Sequence, residues 1–140
     1  MSVPTLEQVK ALVDAANPTS KRMLSSENPW MVIGKAEGMM LEARVSSCRE
    51  ALRWLEFLLK TADELESLAH PPWFSIKHNL HPLYRQVARD TRALQTLVND
   101  FTDPDKYLTQ LLGENKSYSI PQVVFVAHTM LSRLEAGYAH

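Results

Sequence analysis

The chain has 140 residues and a formal net charge of −1. This balance excludes a general electrostatic attraction to nucleic acid or to anionic membranes, so either would need a local patch. Hydrophobic residues make up 45% of the sequence, which is ordinary for a globular protein, and the length predicts one domain over residues 1–140. The single cysteine, Cys48, excludes an intrachain disulfide and a cysteine-rich metal site.

The first third of the chain predicts one short helix and the start of a second. A capping box over residues 5–8 begins the first helix, and Asn17–Pro18 ends it. Asn28–Pro29 is the next start signal, because a capping residue precedes proline at the first helical position. Gly34 and Gly38 follow one turn apart. Each costs up to ~1 kcal/mol of helix propensity relative to alanine, so we expect a kink there or two helices meeting.

The longest regular pattern is an apolar ladder that starts at Leu41 and continues to Leu68. Its members recur at spacings of four and three, which is typical of a buried helix face. They are Leu41, Val45, Cys48, Leu52, Leu55, Leu59 and Ala62. We predict one helix over residues 39–69, which would be ~46 Å long at 1.5 Å per residue. A compact domain of this size is roughly 37 Å across, so the pattern predicts an elongated or self-associating molecule.

A second ladder predicts a partner helix. The segment His70–His81 is rich in proline and polar residues and reads as a loop, and a helix follows from about Pro82 to Phe101. Its apolar residues repeat the same spacings: Leu80, Tyr84, Val87, Thr91, Leu94, Val98 and Phe101. The two ladders would form a long antiparallel hairpin of residues 29–69 and 78–101.

Two further helices complete the prediction. Thr102–Asp103–Pro104 restarts a short helix that ends at Gly113, and Ser119 with Gln122 forms a capping box for the last one. No segment alternates like a strand. The fold class is therefore all-α, an elongated bundle of about five helices built on the hairpin.

The best functional candidate is a basic stripe formed by Arg85, Arg89 and Arg92. Their spacings of four and three place them on one helix face. Such a face could contact a phosphate backbone or an acidic protein partner. The alternative is internal neutralisation, because in an antiparallel hairpin Asp63 would lie opposite Arg85, and Glu56 opposite Arg92.

An apolar surface is the second candidate. Tryptophan, phenylalanine and methionine suit adaptable interfaces, and the sequence places them before the first ladder and in the loop after it. These residues are Trp30, Met31, Met39, Met40, Trp73 and Phe74. The alternative is that those near the glycines are core, and an interface within a homodimer would satisfy both interpretations.

A metal site is the weakest candidate. His70, His78 and His81, with Asp63 or Glu66, could meet at one end of the bundle, and zinc takes such ligands. Their spacing matches no metal motif, however. There is also no nucleophile elbow and no glycine-rich phosphate loop. At its position in the ladder, Cys48 is expected to be a small buried hydrophobe.

We therefore expect a non-enzymatic protein-interaction domain, such as an adaptor, inhibitor or accessory subunit, that forms a homodimer and needs no cofactor. A nucleic-acid-associated helical subunit and a metal-dependent enzyme are the alternatives. The longest apolar run, Val123–Ala127, is far shorter than the ~20 residues that cross a bilayer. With no signal-peptide pattern near Met1, the expected location is cytoplasmic.

Overall fold

The structure, a computed structural model, describes residues 3–16, 29–67, 73–114 and 116–137, with side chains over 3–15, 31–64, 83–114 and 116–137. Six α-helices and a two-strand antiparallel sheet make up this part of the chain. In order they are α1 (Leu6–Ala16), α2 (Pro29–Glu42), β1 (Arg44–Val45), α3 (Cys48–Ser67), α4 (Trp73–Asp100), α5 (Asp105–Leu112), β2 (Tyr118–Ser119) and α6 (Ile120–Glu135). The all-α class is confirmed, although the two short strands were not predicted.

The predicted continuous helix over residues 39–69 is wrong. The helix breaks after Glu42, and β1 pairs with β2 before α3 starts at Cys48. The cause is local capping, because the Ser47 hydroxyl accepts a hydrogen bond from the backbone N–H of Glu50 at 3.1 Å. Serine followed three residues later by glutamate is a helix-start signal, and here it overrides the ladder. The predicted hairpin therefore has no continuous first arm.

The two glycines of α2 lie where the sequence predicts a kink or two helices meeting. The helix runs from Pro29 to Glu42 without interruption. Gly34 lies against α4, since a Cβ atom built there would be 3.9 Å from Cδ2 of Leu83. Gly34 therefore marks a place where α2 and α4 lie against each other, at an ordinary van der Waals distance that an alanine would also fit.

The long second helix starts earlier than predicted. α4 has 28 residues and begins at Trp73, so Trp73 and Phe74 lie in its first turn and not in a loop. Pro82 is inside the helix, where a proline removes one backbone donor and favours a bend without necessarily ending the helix. At 1.5 Å per residue α4 is about 42 Å long, so it is the longest element of the fold.

Helices α3, α4 and α6 surround the main core. The Tyr84 hydroxyl donates a hydrogen bond to Asp63 Oδ1, which places the first half of α4 beside the end of α3. The largest fully buried side chains include Leu55, Leu58, Leu94, Leu97 and Ile120. Five of the seven residues in the first ladder are buried: Val45, Cys48, Leu52, Leu55 and Ala62. The ladder thus identified the core face of α3, but its first member, Leu41, is 55% exposed.

The N-terminus of α3 is held by a distant residue as well as by its own cap. Asp105 Oδ1 at the start of α5 accepts a hydrogen bond from the backbone N–H of Cys48 at 2.7 Å. A carboxylate there satisfies a donor that the helix leaves unpaired and favours the positive end of its dipole. The contact fixes α5 against α3 across 57 residues of sequence.

Two other sequence-derived caps are present, whereas α5 has Pro104 at its N-cap and no side-chain cap, and Asn28 lies outside the described residues. Thr5 and Gln8 exchange hydrogen bonds of 2.9 and 3.2 Å before α1. Ser119 and Gln122 form the predicted capping box before α6. Gly113, with φ of 86°, ends α5 in a conformation that favours glycine. These local signals position α6, which forms one wall of the site described next.

Candidate interaction site

The predicted apolar candidates do not form one surface in the described part of the chain. Met31 is 55% exposed, but Met40 is only 6% exposed and belongs to the core. Met39 is half-buried and packs against that core. The burial of Met40 and the half-burial of Met39 agree with the alternative that this segment is core, because the core-facing side of α2 extends to its last turn. Whether any of these residues contacts a partner stays a prediction. The side chains of Trp30, Trp73 and Phe74 lie outside the described residues.

The basic stripe is exposed on α4. Arg85, Arg89 and Arg92 all face solvent, and with neighbouring residues they line an open depression of about 450 Å³. Arg89 Nη2 donates a hydrogen bond to Gln86 Oε1 at 2.9 Å. The spacing of the three arginines therefore predicted a real surface feature.

The ion pairs expected to neutralise this stripe are not formed. Asp63 accepts a hydrogen bond from Tyr84 and not from Arg85, and within the described residues neither Arg85 nor Arg92 makes an ion pair. The reason is a register difference of one residue, which turns a side chain by about 100° around a helix. Tyr84 faces α3, so Arg85 points away from it.

The sequence did not predict a groove between α2, α4 and α6. Two of the most exposed large hydrophobic side chains meet in it, Leu41 at 55% and Phe125 at 58% exposure. The groove has a volume of about 330 Å³. Its apolar walls are formed by Met40, Leu41, Ile120, Pro121, Val124 and Phe125. Exposed apolar groups that share one concave surface are typical of an interaction site.

A polar network runs along one side of this groove. Asp90 Oδ1 accepts a hydrogen bond from Gln86 Nε2 at 2.7 Å and lies 3.3 Å from His128 Nε2. Gln86 in turn accepts from Arg89. The network therefore connects the groove to the basic stripe through adjacent side chains of α4.

Glu37 is the least satisfied polar group of the groove. Its Oε2 atom is buried and has no hydrogen-bond partner among the described residues. Burial raises the pKa of Glu37 above its ordinary value of 4.5, and the negative charge of Asp90 raises it further. A cationic group entering the groove would donate a hydrogen bond to Glu37 Oε2 and would balance the negative charge of the ionised carboxylate.

Replacing Glu37 with glutamine is expected to stabilise the isolated chain at pH 7. The raised pKa means that the folded chain favours the protonated form of Glu37. The stability that this protonated side chain contributes is therefore complete below pH 4.5, and it is lost as the pH rises through the pKa that Glu37 has in the folded state. Glutamine resembles the protonated form at every pH. We expect a melting temperature a few degrees higher at pH 7, with a difference that disappears below pH 4.5.

The measurement is thermal unfolding followed by circular dichroism between pH 3.5 and 8. Glu42→Gln is the control, because Glu42 is exposed on the same helix and should show a much smaller change. A Glu37→Gln variant that is less stable than the parent at pH 7 would contradict the environment described for this carboxyl.

The remaining chemical candidates gain no support from the described residues. His70 and the side chains of His78, His81 and Glu66 lie outside them. Within them, no three histidine, cysteine, aspartate or glutamate side chains group in a way that could hold a metal ion. Cys48 is buried, as expected. Burial and the nearby Asp105 raise the pKa of its thiol to about 12, so it is not a nucleophile at neutral pH.

One signal in the sequence could have indicated the groove. The buried stripe of the last helix includes Val123, Ala127 and Met130, and Phe125 falls outside that stripe. A large aromatic residue on the polar side of a predicted helix indicates an exposed contact. Its approach to Leu41, on a helix more than 80 residues earlier, depends on tertiary packing that one sequence does not specify.

No protein-family model matches this chain, and neither a curated protein nor a solved structure is significantly similar to it. Among the described residues, no helix combines the length and the apolar character needed to cross a membrane. The groove and the stripe are therefore the features from which a function is proposed below.

Proposed function

We propose that this protein is a non-enzymatic interaction domain, such as an adaptor, inhibitor or accessory subunit, which binds another polypeptide through the groove between α2, α4 and α6. The observation that carries this proposal is the joint exposure of Leu41 and Phe125 in one groove. Large apolar side chains that line a depression gain free energy when a partner covers them.

The composition of the groove fits a polypeptide. Its apolar walls are bordered by Glu37, Asp90 and His128, which resembles the arrangement of an apolar centre and a polar rim in protein interfaces. Phe125 and Leu41 would act as the anchors, and the rim would set the orientation of the partner.

The test is quantitative affinity capture from the native source, using the parent chain and matched single variants. Leu41→Ser and Phe125→Ser remove the anchors. We expect each to reduce capture of a specific protein by about tenfold or more, since a central anchor contributes ~2 kcal/mol or more and ~1.4 kcal/mol corresponds to a tenfold change in affinity. Met31→Ser is the control, because Met31 has the same 55% exposure as Leu41 on the same helix but does not line the groove.

Two results would contradict the proposal. Equal capture by all four proteins would show that the groove contributes nothing to binding. Loss of capture with Met31→Ser alone would place the contact on the surface that the sequence first indicated and not in the groove.

A second function, association with nucleic acid, is favoured by one specific observation. Arg85 and Arg92 are exposed and make no ion pair in the described part of the chain, which would allow them to contact phosphates. Binding of a fluorescent oligonucleotide at 50 and 200 mM salt tests this candidate. The logarithm of the binding constant falls linearly with the logarithm of salt concentration. If an arginine contacts a phosphate of duplex DNA, replacing it with alanine should make that slope less steep by ~0.9. Absence of binding at 50 mM salt would eliminate it.

A further inference from the structure

The groove and the basic stripe are neighbours on the same helix. Gln86 and Asp90 of α4 line the groove, while Arg85, Arg89 and Arg92 form the adjacent exposed face. The hydrogen bond from Arg89 to Gln86 lies at the boundary between them. A partner that covers one of these surfaces would therefore also approach the other.

The groove carries negatively charged side chains, and the stripe carries positively charged ones. The groove holds the carboxylates of Glu37 and Asp90 beside exposed apolar side chains, and Glu37 has a buried oxygen without a hydrogen-bond partner among the described residues. The stripe presents three guanidinium groups, two of which make no ion pair in the described part of the chain. Asp90 is bonded to Gln86 and His128, but within the described residues no arginine of the stripe forms an ion pair with either carboxylate.

We propose that the groove is occupied by a second copy of this chain, whose Arg85–Arg89–Arg92 stripe faces Glu37 and Asp90 while its own groove receives the stripe of the first copy. This inference depends on the proposed function, since it names the polypeptide that the groove binds. A two-fold dimer uses the same surface twice and therefore needs a self-complementary one. The acidic groove, to which α4 contributes Asp90, lies beside the basic stripe of the same helix, and together they form such a surface.

The chemistry of the contact favours arginine. A guanidinium group donates paired hydrogen bonds to a carboxylate, and its flat face packs on apolar and aromatic side chains. Phe125 and Leu41 at the rim would provide that packing and would be covered in the dimer. The net charge of −1 gives little overall repulsion between two copies, so the local pattern decides their orientation.

A charge-reversal pair tests this arrangement directly. The first variant, Arg85→Glu with Arg92→Glu, gives the chain an acidic stripe beside its acidic groove. The second, Asp90→Arg, gives it a basic groove beside its basic stripe. Each variant alone should repel its own copies, whereas an equimolar mixture pairs acidic groove with basic stripe and basic groove with acidic stripe.

Light scattering coupled to size exclusion measures the outcome. We expect the parent chain, of 15.9 kDa, to show twice that mass at about 100 μM in 50 mM salt and to dissociate as salt screens the contact. Each variant should remain monomeric, and the mixture should recover the dimer. Circular dichroism confirms that the variants fold. Phe125→Ser, which alters an exposed residue, should also weaken the dimer at least tenfold if Asp90→Arg does not fold.

Several results would overturn the inference. They are a monomeric parent at 100 μM and low salt, a dimer that survives either charge-reversed variant alone, a mixture that stays monomeric, or an oligonucleotide that binds the stripe without dissociating the dimer. The proposed function is tested separately, because groove-dependent capture of a different protein together with a monomeric parent would retain that function and reject self-association.

Discussion

Replacing Leu55 with alanine is expected to lower the free energy of unfolding by about 2–5 kcal/mol. Leu55 is fully buried on α3, in the core that α4 and α6 also enclose, so truncation removes apolar contacts and leaves a cavity in a packed interior. This is the largest effect of a single substitution that we expect in this fold. It is measured by urea unfolding at a concentration where the chain is monomeric.

Leu41→Ala is the matched control for this experiment. Leu41 belongs to the same heptad-like ladder, but it is 55% exposed, so its truncation should change the unfolding free energy by less than ~0.5 kcal/mol. If the ladder were one continuous buried face, as its periodicity predicted, the two variants would be destabilised equally. Equal losses would therefore contradict the observed break between α2 and α3.

The second large effect is expected from Asp105→Ala. This substitution removes the carboxylate that accepts the Cys48 backbone N–H at the start of α3, and it should destabilise the fold by about 1–3 kcal/mol. The cost exceeds that of an ordinary surface change because it leaves a partly buried donor unpaired and frees α5 from α3. Chemical denaturation of the variant measures it.

Two controls separate the cap from a general charge effect. Asp103→Ala removes an equal charge from an exposed position two residues earlier and should cost less than ~0.5 kcal/mol. Asp105→Asn keeps an oxygen acceptor and should retain part of the stability. A loss in Asp103→Ala as large as that in Asp105→Ala would show that local charge, and not the cap, stabilises this junction.

Much of the helical framework follows from local signals. The capping boxes at residues 5–8 and 119–122 and the glycine at position 113 mark real helix ends, because side-chain and backbone atoms within four residues determine them. The break after Glu42 was also readable from Ser47 and Glu50, but the apolar periodicity across it was given more weight. Periodicity reports which residues are buried and does not show whether the helix is continuous.

The start of α4 differs from the prediction for a related reason. Pro82 predicts a helix boundary, although a long helix can continue through a proline when its neighbours remain hydrogen-bonded. The sequence therefore predicts that Trp73 and Phe74 lie in a loop, whereas in the structure they lie in the first turn of α4. Local propensity is a weak guide where tertiary packing supports a long helix.

The sequence predicted the basic stripe of the candidate site and one residue of the groove, Met40. The spacing of Arg85, Arg89 and Arg92 was sufficient to place them on one exposed face. The groove combines residues of three helices from widely separated parts of the chain, and no periodicity relates Leu41 to Phe125. The expected pair between Asp63 and Arg85 is not formed, because Asp63 bonds instead to Tyr84, one residue earlier on α4.

The central claim is that the stripe of one copy lies against the groove of another. The most direct measurement is cross-linking with a short bismaleimide between one preparation carrying Ala88→Cys and another carrying Pro121→Cys. Ala88 lies beside the arginines of the stripe and Pro121 lines the groove, so both changes retain the arginines and Phe125. The native thiol does not interfere, because Cys48 is buried. We predict a high yield of the mixed cross-linked dimer, which falls when salt is raised. A yield no greater than that obtained with Met31→Cys in place of Pro121→Cys would contradict the claim.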